Sequence, residues 1–325
     1  MADFLFLEQL NKIMRQVPRP RLMYKKGIWA KGFFKPYMTF RDYTKAEIFQ
    51  SADEIFPVKV RFSSMFGERG TSDTVRNIKG FSVRFCTEEG KYDLICQSLP
   101  VYFINDEEKF FKLMGAFSKD YPFDGINSKN LWSFLIENPE SVNCIVRLFS
   151  SRGLIESYTA IKWYSVNTYV WENEKGKKFL VRYKWKPAGN KKIDEIADKK
   201  RPMDRVFAEF MAGFDPDIAS DTLKRNMEEG DFPSFELFAQ IVDYKFISHP
   251  NYLKRTVCWN DNINPPVKVG ILKLTDVIKE HGESGDSDCF APGNIISGIS
   301  LCEDEFSKVM DYAHKIGGIE RGAYL

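Results

Sequence analysis

The sequence predicts an α+β fold: an antiparallel β-barrel of about eight strands with helices around it. Three observations point there. From Val58 to Ile104 the segments VKVRFS, FSVRFCT, KYDLIC and VYFI are short and rich in β-branched and aromatic residues, with Gly- and Asp-containing turns between them. A stretch of helical spacing then interrupts the pattern. Strand patterns return at 161–186 and 234–273, and strands, a helical insert and more strands suit a closed or nearly closed barrel.

Taken in order, residues 3–16 read as an amphipathic helix, which sets residues 1–17 apart as an N-terminal arm from a single barrel domain at 18–325. The strands of 58–104 follow. Residues 106–119 and 129–150 carry helical spacing, the second with a step at Pro139. Ile161–Glu172 and Lys178–Lys186 form a hairpin through the turn Asn173–Gly176. Helices are expected at 190–199 and 203–228, then strands at Ser234–Asp243 and Val267–Lys273.

Composition excludes several function classes. A net charge of +2 over 325 residues leaves no basic stripe for nucleic acid and no membrane-binding patch. The Lys-rich runs at 175–178 and 191–201 alternate with acids and read as solvated faces. No apolar run is long enough to span a bilayer, and MADFLFLEQL lacks the basic start of a signal peptide. Six cysteines without CxxC spacing, several in apolar contexts, point to reduced thiols and a cytoplasmic protein. The 28 phenylalanines favour a Phe-built core over a large apolar pocket.

Four linked blocks carry a sharper signal. VRFS (Val60–Ser63), the turn Gly67–Arg76 (GERGTSDTVR), GFSVRFCTEEG (Gly80–Gly90) and DLICQSLPVYFIND (Asp93–Asp106) stand in one order without a gap. Upstream lies RLMYKKGIWAKGFF (Arg21–Phe34). Downstream come NPES, SRG, DPD, GDFPSFELFAQ (Gly230–Gln240), PVKVGILKL (Pro266–Leu274) and FAPGNIISGI (Phe290–Ile299). Together these resemble the haem catalases over roughly residues 18 to 315. The resemblance implies an eight-stranded barrel with haem b between its wall and a helix.

The same resemblance places the candidate site residues. Tyr24 stands where the family has its distal catalytic histidine. A general base needs a pKa near the working pH, and an ordinary phenol, near 10, is a poor one, although it can donate a hydrogen bond. Gln97 replaces a distal asparagine and keeps the amide, Ser63 matches the serine behind the histidine, and Tyr102 replaces a pocket phenylalanine. Phe110 matches a phenylalanine beside the porphyrin, with Met23 a further cofactor contact. Arg21 and Arg61 match arginines that pair with haem propionates, for which a guanidinium is suited.

For the proximal iron ligand two alternatives remain. The ungapped register puts His314 at the family's tyrosine and Met310 at its arginine. A two-residue shift gives Tyr312 with Lys308 one turn earlier, and it is favoured because it keeps a phenolate–cation pair. Lys315 then substitutes weakly for a third propionate arginine. His281 and His249 read as loop and turn residues.

The implied function is a haem-dependent oxidoreductase or isomerase acting on a peroxide, an organic hydroperoxide or another small oxidisable molecule, and dismutating hydrogen peroxide weakly. A non-catalytic haem sensor and a haem-free protein with a new ligand are the alternatives. The short arm at 1–17 suggests a monomer or homodimer and not an interlocked tetramer.

Overall fold

The computed structural model describes residues 8, 11–12, 23–67, 70–117, 119–120, 123–126, 128–188, 203–278 and 289–319. Most of the expected helix at 3–16 and all of that at 190–199 lie outside them.

Ten strands share the main sheet, and eight of them close into a barrel. These are β1 (Gly27–Pro36), β2 (Phe56–Ser64), β3 (Lys79–Cys86), β4 (Lys91–Gln97), β7 (Trp163–Tyr164), β9 (Lys178–Pro187), β10 (Ser234–Asp243) and β11 (Val267–Ile278). Every pairing is antiparallel, and β9 with β10 shuts the ring from Phe179↔Asp243 to Pro187↔Phe235. The strands β8 (Tyr169–Glu172) and β12 (Ile299–Leu301) extend the sheet from β9. A separate hairpin joins β5 (Lys119–Asp120) and β6 (Phe123–Ile126).

Seven α-helices are described: α1 (Phe110–Ala116), α2 (Ser128–Glu137), α3 (Val142–Phe149), α4 (Arg205–Phe214), α5 (Ile218–Glu228), α6 (Pro250–Leu253) and α7 (Glu305–Ile319). Among described residues no helix is long and apolar enough to cross a membrane.

Two expected elements are divided. The helix at 203–228 breaks into α4 and α5 because Pro216 drives Asp215 out of helical geometry, to φ −144° and ψ 83°. The strand at 161–172 breaks into β7 and β8 where polar side chains bond to backbone. Ser165 Oγ accepts from Tyr183 N at 2.9 Å, and Thr168 Oγ1 donates to the Tyr252 carbonyl at 2.8 Å.

Alternation along the strands turns large aromatics into the barrel. Phe62 meets Phe81 at 5.0 Å and Tyr158 at 5.1 Å, Phe81 stacks on Trp163 at 5.1 Å, and Phe34 meets Phe85 edge-on at 5.1 Å. The lumen is therefore filled, and space for a ligand must lie outside the wall. A second buried cluster sits there, where Leu99, Val101, Tyr102, Phe103 and Phe110 meet Phe306 and Val309 of α7.

Buried polar links fix this outer layer. Arg84 on β3 grips Asp93 on β4 through two bonds of 2.7 Å, and its guanidinium also donates to the Cys289 carbonyl. Asp93 in turn accepts from Ala291 N at 3.0 Å and Asn294 Nδ2 at 2.8 Å. The segment 289–294 is thus pinned to the barrel. At the start of α7, Asp304 accepts from Ser307 N at 2.9 Å as a helix cap and from Arg255 at 2.7 Å.

A fully buried lysine makes stability depend on pH. Lys79 is fully buried, with Nζ on Ser64 Oγ and the Val75 carbonyl, and burial lowers its pKa to about 7 despite the opposing pull of Asp73. The unfolded chain then binds more protons above that value, so stability should rise from pH 7 towards the ordinary lysine range, by up to about 1.4 kcal/mol per pH unit. Melting temperatures of wild type and Lys79→Met across pH 6.5–9.5 check this: the rise should be present in the first and absent in the second.

Candidate functional site

Helix α7 presents one face to the barrel wall. Phe306, Met310 and His314, spaced four apart, line a cavity of about 60 Å³ with Met23, Tyr24, Ile95, Cys96, Gln97, Tyr102, Val166, Asn167 and Pro292. None of these side chains carries a formal charge except His314 when protonated.

His314 is oriented by the pinned segment. Its Nδ1 lies 2.9 Å from the Phe290 carbonyl, which can only accept, so in the neutral ring Nδ1 holds the hydrogen and Nε2 the lone pair. Phe290 is itself clamped, with Trp29 stacked on one side at 5.2 Å and the Arg84 guanidinium 4.9 Å from its centroid. Asp311, one turn inside, accepts from Gly293 N at 2.7 Å and fixes the helix rotation.

Across the cavity stands Tyr24, which has φ +59°, the only positive value outside glycine among the described residues. A bulky side chain there is strained. The strain is held by Tyr24 N on the Met65 carbonyl at 3.0 Å and by Arg61 Nη2 on the Tyr24 carbonyl at 2.9 Å. The ring lies on Gly80, where an added Cβ would meet Tyr24 Cε1 at 2.8 Å and Ser63 Oγ at 2.6 Å. Ser63 is thus a buried neighbour of the ring.

Burial pushes the Tyr24 phenol well above its ordinary pKa. The Tyr102 phenol is raised the same way, with Tyr24 adding to it. Both hold their protons at neutral pH. Tyr102 is only 5% exposed, and its ring meets Phe103 and Phe306 edge-on. Gln97 directs its amide hydrogens away from solvent, to the carbonyls of Leu99 at 3.1 Å and Val101 at 2.8 Å. Its NH₂ therefore braces the following loop. Cys96 is also on the cavity, but burial raises its thiol pKa and keeps it un-nucleophilic.

The remaining expected residues are dispersed. Phe110 packs in the outer cluster, and Met23 packs there while also lining the cavity. Arg61 also lies 5.7 Å from the Trp29 ring centroid. Arg21 and His281 lie outside the described residues. The favoured proximal ligand is turned aside: Tyr312 sits two residues from His314, about 200° around the helix, and its hydroxyl accepts from Asn11 at 3.4 Å. Lys308 pairs with Glu305 at 2.8 Å and is half exposed, and Lys315 pairs with Asp311 at 2.7 Å. None of the three lines the cavity, whereas Met310 and His314 do. His249 caps α6, accepting from Asn251 N at 3.3 Å. Asn167, Pro292 and the Phe290 carbonyl were missed, since backbone acceptors and loop approach leave no residue-type signal.

With this geometry in place, the sequence comparisons are decisive. The catalase family pattern matches residues 1–314. The chain belongs to the catalase family. It is 31% identical over 310 residues to Catalase-2 of Bacillus subtilis, covering 94% of this chain and 44% of that protein. It is 30% identical to the catalase of Latilactobacillus sakei, covering 97% and 64%. Among solved structures, a bacterial catalase superposes with a TM-score of 0.86 at 26% identity, covering 99% of this chain and 61% of that one. The chain thus spans about half to two-thirds of the length of these catalases.

Catalases are haem enzymes, so membership implies haem. Of the lining residues, His314 offers an imidazole whose Nδ1 is oriented by a backbone carbonyl. The walls as they stand enclose far less than the roughly 300 Å³ at which ligand clefts begin.

The Gly80 contact yields a direct check on Tyr24. Gly80→Ala should destabilise the protein by about 1–3 kcal/mol through overpacking. Adding Tyr24→Ala should recover part of that loss, a non-additivity read by denaturant melts of the two single variants and the double.

Proposed function

We propose that the chain is a catalase-type, haem b-dependent oxidoreductase or isomerase. Its substrate would be a peroxide, an organic hydroperoxide or another small oxidisable molecule, with only weak dismutation of hydrogen peroxide. One observation carries the departure from catalase: the distal wall holds Tyr24, with its phenol kept protonated by burial, where the family has a titratable histidine.

Haem, when bound, supplies redox chemistry at iron. What this chain adds is distinct from a catalase. Tyr24 and Tyr102 donate hydrogen bonds to a small polar ligand and do not take up its proton. Gln97 holds the distal loop in shape. Phe110, Met23, Met310 and Phe306 supply apolar contact, and Arg61, with Arg21, is suited to propionates. Haem entry would displace Met23 and Met310, unbranched side chains that adapt readily.

A second reading, a haem-free catalase-fold protein, draws support from the cavity of about 60 Å³. Haemin titration of purified protein separates the two. Six cysteines without CxxC spacing, four of them buried, support a cytoplasmic setting. A small molecule is the partner expected, and a monomer or homodimer the assembly. The exposed rings of Phe210 and Phe214 on α4 offer an apolar surface for a second copy.

Peroxide turnover tests the reading. The haem-loaded protein should dismutate hydrogen peroxide at least about 10²-fold more slowly than a true catalase, the usual worth of acid–base catalysis. Tyr24→His should raise that rate. Catalase-like turnover in the wild type would contradict the proposal.

A further inference from the structure

We propose that a second copy of this chain docks on a face built from α2, α3 and α4, closing a two-fold dimer around Arg76. The proposal is independent of the haem reading.

Each of the three helices carries apolar side chains on two sides. In α4, Ala208 and Met211 are buried, while Val206, Phe207, Phe210 and Phe214 are 44–77% exposed. In α3, Cys144, Ile145 and Leu148 are buried, while Val142, Val146 and Phe149 stand in solvent. In α2, Phe134 and Leu135 turn inward, and Trp132 and Ile136 outward. A surface helix has a polar outer face, and one that is apolar on both sides belongs in a buried position. The single chain supplies only half of that burial.

The outer rows adjoin. The rings of Trp132 and Phe149 lie 6.4 Å apart, and the Arg76 guanidinium sits 5.5 Å from the Phe149 centroid. Arg76 is fixed there by the carbonyls of Leu148 and Ser150, both at 2.7 Å. Two residues earlier, Thr74 donates to the Ala208 carbonyl of α4 at 2.8 Å. Burial, and after it the charge of Arg205 on α4, lowers the Arg76 pKa, so α3 and α4 flank one guanidinium. On α4 the rings are already ordered, Phe210 stacking on Phe207 at 6.5 Å and on Phe214 at 5.5 Å. Docking then costs little side-chain entropy.

Area and composition select the occupant. The nine outer side chains expose about 1,000 Å², taking about 150–250 Å² for a bare aromatic. The largest apolar patch of a typical monomer is about 300–600 Å², whereas one side of a stable protein interface covers about 800 Å². Aromatic side chains around a central arginine are the composition of an interface core. Flanking charges are of both signs, Arg205 with Glu209 at 2.7 Å and Lys109 with Glu140. They neither repel a like copy nor favour an anionic bilayer. A face that meets its own copy closes about a two-fold axis, the commonest homo-oligomer.

Sedimentation velocity and light scattering test this. Wild-type protein at micromolar concentration should have twice the mass of the 37.7 kDa chain. Phe210→Ser and Val146→Lys, on different helices, should each weaken association by at least about tenfold, as loss of an interface anchor does. Both positions are exposed, so the melting temperature of the monomer should hold, and a folded variant on either helix suffices. Phe246→Ser, an exposed ring elsewhere, should leave the dimer intact. A wild-type monomer, or a dimer that neither α3 nor α4 variant weakens, would overturn the proposal. So would a monomer that binds phosphatidylcholine–phosphatidylglycerol vesicles and loses them in Phe210→Ser.

Discussion

The buried pair of Arg84 and Asp93 is the interaction on which the site depends. It joins two adjacent barrel strands, yet its remaining capacity is spent outward, on the backbone and side chain of the segment 289–294. A buried ion pair of this kind is weak evidence for stability, since desolvation offsets much of the attraction. Its value here is positional. Each of these contacts that fixes the segment also fixes the Phe290 carbonyl, and with it the imidazole of His314.

Around that anchor the chain keeps the catalase fold while altering what faces the cavity. Tyr24 stands on one wall of the cavity and His314 on the other. On the function proposed above, a strained tyrosine takes the place of the family's distal histidine and a histidine that of its proximal tyrosine, an exchange that suits orienting a small molecule over shuttling its protons. The strain at Tyr24 fits this account, because backbone strain persists only where surrounding contacts hold it, here Met65, Arg61 and the bare surface of Gly80.

Much of the fold was legible in the sequence. Period-two alternation in VKVRFS and FSVRFCT announced barrel strands, the NEKG turn announced the β8–β9 hairpin, and β10 runs over Ser234–Asp243 as expected. The misplaced boundaries have local causes, Pro216 splitting one helix and Ser165 with Thr168 splitting one strand. On the distal side, strand register carries Ser63 next to the Tyr24 ring and Gln97 to the cavity lining. The proximal side was harder. A preference for a phenolate–cation pair favoured Tyr312 and Lys308, but helix rotation is set by Asp311 on Gly293 and by packing of Phe306. Neither contact is visible in residue types alone.

The tautomer of His314 tests the positional claim most directly. Nitrogen-15 NMR of the ring in the haem-free protein distinguishes a protonated Nδ1 from a protonated Nε2. Hydrogen on Nδ1, bonded to the Phe290 carbonyl, is the expected result, with a shift away from that state in Asp93→Asn. A wild-type ring protonated on Nε2, or one exchanging freely between tautomers, would contradict it.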